Sequence, residues 1–290
     1  MLPSDHYKPP SFLQDLHVLD LLELTGSQAR AGRALAMHQS TVCRSLRLLQ
    51  KDLRLTPANG SAVCRHGHNT CLHHLRLACR AHRLMAGVLR IGTDVLHHNL
   101  IMRCGAAQPV PPRFRRAEHW VELIRHGLLD GAILSSLALE KRLLSGQAPR
   151  WEGISARPLG MISLQLVATT ADAQRVLLPA QATAPLLHQG IAAQGLGIEK
   201  QPAACQEPEA WLKRARDRGL ALPIIPALVA ENWLSMQGLT ALREQPLLIE
   251  QLWLLSALGI SNNASQRLLR QLRSLVRNSE TMLNSHENRD

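Results

Sequence analysis

The chain has 290 residues, is 46% hydrophobic but only 3% aromatic, and carries a formal net charge of +11. That length and apolar share allow one large domain or two to three ordinary ones, built around an aliphatic core. So few aromatic rings argue against base stacking on single strands or RNA, which leaves duplex DNA as the better polyanionic partner.

The N-terminus has no basic run before an apolar one, and Asp15 and Asp20 interrupt the apolar stretch 12–24, which therefore reads as a helix rather than a signal peptide. The longest stretch free of Asp, Glu, Lys and Arg, 176–198, is broken by Pro179, Pro185 and several polar residues, so no membrane span and no membrane partner are expected. Cys43, Cys64, Cys71, Cys79, Cys104 and Cys205 are expected to be free thiols in a reducing cytoplasm.

In chain order, the first helix is expected to start at Ser11, capped by that hydroxyl with Gln14 returning the bond. Leu16, Leu19 and Leu22 give it one apolar stripe. Gly26 suits the left-handed residue that ends such a helix, and Ser27 can cap the next. The second helix buries Ala31 and Leu35, with Gly32 allowing another helix to approach. After a turn at 36–38, a third helix points Val42, Leu46, Leu49 and Leu53 inward and Arg44, Arg47 and Lys51 outward. Between residues 26 and 86 stand ten cations (Arg30, Arg33, Arg44, Arg47, Lys51, Arg54, Arg65, Arg76, Arg80, Arg83) against one acid, Asp52, a net of 10 − 1 = +9. A field so concentrated implies a polyanion at this end.

Two short helices around a tight turn make a helix-turn-helix. In that motif the first residues of the second helix meet base edges, here Gln39, Ser40, Thr41 and Arg44. Arg33, Arg47 and Lys51 suit phosphates. With Ser27 and Arg30 these complete the candidate DNA-binding set. The stretch 26–55 resembles the DNA-binding pattern of LysR-type transcriptional regulators, GSxxxAAxxLxxSQPAVSRQIxxLExxLG. Gly26, Ser27, Ala31, Leu35, Gln39, Val42, Arg44, Leu46, Leu49 and Leu53 fall on it without a gap, while Gly32, Cys43, Gln50 and Arg54 depart from it. The resemblance implies a winged helix-turn-helix, although the wing region 55–67 is altered. Pro57, Asn59 and Gly60 still make a turn there, and whether Arg65 enters a minor groove is left open.

Leu72, Leu75, Cys79, His82 and Ala86 then alternate at spacings of three and four, a coiled-coil-like seam. In the family the matching segment is a long linker helix that pairs two chains, so the resemblance implies a homodimer or homotetramer. Cys64, His66, His68, Cys71, His73 and His74 lack the CxxC knuckle of a structural zinc site, and no metal is expected among them.

From residue 88 onward strands and helices alternate. Strands are expected at 88–92, in GLLDGAIL, at 163–169, at 175–179 and in LALPII, and helices at 118–126, 208–218 and 227–237. Such alternation implies a mainly parallel sheet covered on both faces. Leu89 to Gly92, Gly127 with Asp130, and Gly219 with Pro226 resemble, in order, the motifs of the LysR-type effector-binding domain, a two-lobed fold like that of periplasmic binding proteins. The region between Thr93 and Trp120, holding VPPRFRR, is shorter than the family's. The expected fold is thus mixed: an N-terminal all-α winged helix-turn-helix (1–66), a linker helix (67–87) and a C-terminal α/β two-lobed domain (88–277, lobe I about 88–166 and 241–277, lobe II about 167–240). A polar tail, 278–290, is expected to fray.

Ligands in such folds sit at strand ends, which nominates Thr93, Asp94, Ser135, Ser136, Thr169 and Thr170 for an unidentified small-molecule effector. No GxSxG, GxxxxGK or HExxH pattern is present and GIAAQGLG lacks the frame of a dinucleotide loop, so neither an enzyme nor a cofactor is expected. The resemblance implies a regulator of promoters, with RNA polymerase as a partner. Two alternatives stay open: a family member whose C-terminal half only oligomerises, and a metal- or thiol-sensing regulator.

Overall fold

The structure is a computed structural model that describes residues 8–57, 63–144, 147–201, 207–230, 232–243, 246–259 and 262–287. A 3-10 turn at Ser11–Leu13 leads into α1 (Gln14–Thr25). No side chain caps either start, so the Ser11–Gln14 box does not form. Entering through Pro10, the chain closes its first turn with the Leu13 amide on the Pro10 carbonyl instead. Nor is α1 buried along one stripe alone: Val18, Leu21 and Leu24 are as enclosed as Leu16, Leu19 and Leu22, and Asp20 and Glu23 are buried with them. It is an interior helix, covered on both sides.

Gly26, at φ +68°, ends α1 by donating to the Leu22 carbonyl. In α2 (Gln28–Ala34) Ala31 is fully buried and Leu35, just beyond, is half-buried, but the Ser27 side chain makes no cap. Gly32 makes room for the turn rather than for a helix, since a Cβ there would sit 2.7 Å from the Met37 carbonyl oxygen. The cap of α3 (Gln39–Asp52) is His38, whose ring accepts from the Ser40 amide. Val42 and Leu46 enter a core shared with Leu16, Leu19 and Leu22, and Leu49 and Leu53 pack at its margin. Arg54, which stands where the LysR-type pattern has glycine, holds a left-handed backbone at φ +50°. Asn59 and Gly60 lie outside the described residues, and among those described no strand stands between α3 and α4 (Thr70–Met85). Asn69 caps α4 through the Leu72 amide.

The α/β unit follows as β1 (Leu89–Gly92), α5 (His98–Met102), β2 (Ala107–Pro109), α6 (Ala117–Arg125), β3 (Gly131–Ser135), β4 (Ile154–Ala168), β5 (Arg175–Leu178), α7 (Pro185–Ala193), β6 (Gly197–Lys200), α8 (Pro208–Asp217), β7 (Leu222–Ile224), α9 (Trp233–Met236), β8 (Thr240–Ala241), β9 (Leu248–Ala257) and α10 (Asn263–Glu287). One sheet runs β2-β1-β3-β9-β4-β7, with β8 also on β4, and β5-β6 form a second. The expectation of a mainly parallel sheet is corrected. β1 is parallel to β2 and β3, and β5 to β6, but β9 is antiparallel to β3 and β4, and β4 to β7 and β8. The expected strand 163–169 is the second half of the 15-residue β4, which bulges between Pro158 and Gly160. It pairs with β9 over its first part and with β7 and β8 toward its end, and the pattern of a strand does not report its partner's direction.

Two further corrections concern helices. The expected helix 227–237 is a 3-10 turn at Pro226–Leu228 followed by the single turn α9. The tail expected to fray is helical to Glu287, continuing α10, whose Leu268, Leu272 and Val276 are buried at four-residue spacing. Docking that stripe supplies the nucleus a polar extension lacks by itself. Gly92, of LRIG, is needed for packing: a Cβ there would lie 2.6 Å from the Trp120 ring. Among the described residues no helix is long and apolar enough to cross a membrane, and the five described cysteines are unpaired.

Candidate nucleic-acid interface

Helix α3 turns its apolar side to the core and leaves Gln39, Ser40, Arg44, Arg47 and Lys51 exposed, with Thr41 half-buried. Ser40, Cys43, Arg44, Arg47, Leu48 and Lys51 line one open hollow along the outer face. Among the described residues Arg44, Arg47 and Lys51 have no acidic partner, so their charge is available to an external anion. Gln39 is steadied by Gln28 at 3.3 Å and Ser40 by His38 at 2.8 Å. Leu48, 46% exposed between the cations, escaped the sequence reading. Its position one turn after Arg44 was the signal, and an apolar contact there suits a thymine methyl.

The other cations are elsewhere. Arg33 lies 2.9 Å and Arg30 4.0 Å from Glu207, and the Arg33–Glu207 pair is too exposed to hold tightly. Ser27 is half-buried beside them. Three arginines of α4 are buried against acids of other elements, which corrects the expectation that all ten cations face an external polyanion. Arg76 is fully buried against Asp20 at 2.8 Å, and Arg83 against Asp130 at 2.7 Å. Arg80 reaches Asp130 at 3.3 Å and the carbonyls of Ile124 and Leu129. Arg90 completes the set by donating its side chain to Asp20 and its amide to Asp130. Burial alone would raise the Asp130 carboxyl, but Arg83 outweighs it and holds the group below the usual range.

This network fastens the helical unit to the α/β unit. Arg113 and Arg115 donate to the carbonyls of Thr25 and Leu24, satisfying the C-terminal end of α1. Glu23 accepts from the amides of Arg65 and His66. Arg65 itself lies at this junction, its guanidinium crowding Gly26 alongside Arg113, and not on the outer face of α3. The seam expected to pair two chains is also engaged within one: Leu72 and Cys79 are buried in the helical core.

In the α/β unit the six effector candidates separate. Asp94, Ser135 and Ser136 gather with two residues the sequence did not single out, His97 and Glu250. The His97 ring, 1% exposed, lies 2.8 Å from Asp94 and 2.9 Å from Glu250. Ser135 donates to the other Glu250 oxygen, and Ser136 accepts from the Gln251 amide. Burial opposes charge on His97, but Asp94 and Glu250 outweigh it and hold the ring well above its usual value. Thr93, next in chain, has a buried hydroxyl without a hydrogen-bond partner. Thr169 and Thr170 are exposed beyond the end of β4. From Ile162, opposite Glu250, that is seven residues away, about 23 Å along the strand.

No family model and no curated protein matches the chain. Among solved structures it is similar to CbnR, a LysR family transcriptional regulator, at 13% identity and a TM-score of 0.49, over 91% of this chain and 99% of that one. It is similar to ArgP from Mycobacterium tuberculosis at 16% identity and 0.46, over 90% and 96%. A third is LysG from Corynebacterium glutamicum with bound effector Arg, at 16% and 0.44, over 91% and 98%.

Proposed function

We propose that the chain is a DNA-binding transcriptional regulator of LysR type, which reads promoter duplexes with α3. The observation that carries this reading is the outer face of α3, where Arg44, Arg47 and Lys51 stand exposed and unneutralised while the inner face is locked into a core. The ungapped pattern in 26–55 supports the family. In this reading Gln39, Ser40, Thr41 and Arg44 meet base edges, Arg47 and Lys51 meet phosphates, and Arg30 and Arg33 join them once released from Glu207. No catalysis and no cofactor are part of it. The helical unit 1–66, the linker 67–87 and the regulatory unit 88–277 are its working parts, in a cytoplasmic dimer or tetramer that meets RNA polymerase at the promoter.

The effector is a small molecule admitted at the ends of β1 and β3, where Thr93, Asp94, Ser135 and Ser136 converge. One observation favours a second reading, an α/β unit that only holds the assembly together: Asp94, His97, Glu250 and Ser135 already satisfy one another. A mobility shift with fragments from upstream of the protein's own gene tests DNA binding. Thermal shift against a panel of metabolites separates the two readings, since a ligand of the folded state must raise the melting temperature.

A further inference from the structure

We propose that Cys64, His68 and His126 form a binding site for a thiophilic divalent transition metal of the zinc class, one that staples the helical unit to the α/β unit. Their ligand atoms lie within 4.8 Å of one another. One thiol and two imidazoles are the donor set that borderline-soft ions prefer over calcium or magnesium. The rings of His68 and His126 stand 4.4 Å apart, and His73 lies 6.0 Å from His68 with a buried Nδ1 that has no hydrogen-bond partner. His73, which lines the same hollow, offers a fourth donor. Glu122 sits 3.5 Å from Nε2 of His126, placed to orient that ring as carboxylates do behind metal-bound histidines. Glu122 and Glu152 also line the hollow onto which His68, His73 and His126 open, and they offset Arg125 beside them.

Cys64 holds a left-handed backbone at φ +56°, uncommon for a residue with a side chain, and its sulfur accepts from Arg76 at 3.3 Å. Asp20 balances that guanidinium. Metal binding would release the thiol proton to solvent and leave a thiolate shared between Arg76 and the ion. The Cys/His run read from sequence therefore divides. Cys64, His68 and His73 turn toward α6, while Cys71 and His74 are exposed. The third ligand, His126, follows α6, too far along the chain for any spacing rule to include it.

The test uses metal alone and is independent of DNA binding. Full-length protein, stripped with chelator under reducing conditions, is titrated with Co²⁺. Expected are one ion per chain, a thiolate-to-cobalt charge-transfer band with the visible bands of tetrahedral coordination, and displacement by Zn²⁺. Cys64→Ser should abolish the charge-transfer band, Cys71→Ser should leave it intact, and His126→Ala should weaken binding at least about tenfold. Zn²⁺ should raise the melting temperature of the parent protein more than that of His126→Ala at the same concentration. Absence of the band in the parent, its survival in Cys64→Ser, or undiminished affinity in His126→Ala would overturn the site. His126 is partly exposed beyond the end of α6, so its variant keeps the test decisive if Cys64→Ser fails to fold.

Discussion

Arg44 and Arg47 are neighbours on one helix but should fail differently when removed. Arg44→Ala is expected to cost about 1–3 kcal/mol at the specific site and to relax sequence preference, as loss of a base contact does. Equal losses on random DNA would reduce it to a phosphate contact. Arg47→Ala should instead weaken all sequences alike and flatten the salt slope by about one. His97 is a structural residue with a pH signature. Its folded pKa is raised, so the stability it contributes is complete below the unfolded value of about 6.5 and is lost as pH rises toward the folded one, by up to about 1.4 kcal/mol per pH unit. His97→Ala should erase that dependence and cost about 3–5 kcal/mol, because Glu250 is left buried without its counter-ion. Urea melts of both proteins at pH 6 and 8 would show it, and an unchanged pH dependence would contradict it. Arg44 was legible because its neighbours in space are its neighbours in sequence. Glu250 was not, being a carboxylate inside a strand whose partners, His97 and Ser135, come from the turn before α5 and the end of β3.

At the scale of elements, α4 shows how a correct period can carry a wrong phase. The stripe Leu72, Leu75, Cys79, His82 reads as a seam, yet Leu72 and Cys79 are consumed within the chain. The exposed stripe is one residue earlier: Cys71, His74, Ala78, Ala81 and Met85, again at spacings of three and four. Periodicity fixes which residues share a face but not whether that face meets its own chain or another. If two copies pair through α4, Ala78→Glu should dissociate them with little effect on folding, whereas Leu72→Ala should cost about 2–5 kcal/mol of stability in the single chain. Light scattering and denaturant melts on the two variants distinguish the faces, and an intact dimer in Ala78→Glu would move the pairing surface elsewhere. Summed charge had the same limit. Arg76, Arg80 and Arg83 looked like the rest of the basic field because their partners, Asp20 and Asp130, stand in other elements.

For the whole molecule, the consequence is that one end of the chain supplies two kinds of arginine: those of α4 bind the two units together, and those of α3 face outward. Asp130→Ala should therefore damage the fold rather than the interface, costing about 3–5 kcal/mol by stranding Arg83 and Arg80. The α/β character of the chain beyond residue 88 was legible in the alternation of strands and helices, while the antiparallel spine of β4 and β9 was not, since register is set by partners far apart in sequence.

The most direct measurement is the salt dependence of a mobility shift with duplex fragments from the protein's own upstream region, run on the parent and on a triple Arg44→Ala, Arg47→Ala, Lys51→Ala variant. Expected is a retarded complex whose log affinity falls linearly with log salt, by about 0.9 per phosphate neutralised, and whose slope shrinks in the triple variant. No salt-sensitive complex with any such fragment, or an identical slope once the three cations of α3 are gone, would contradict it.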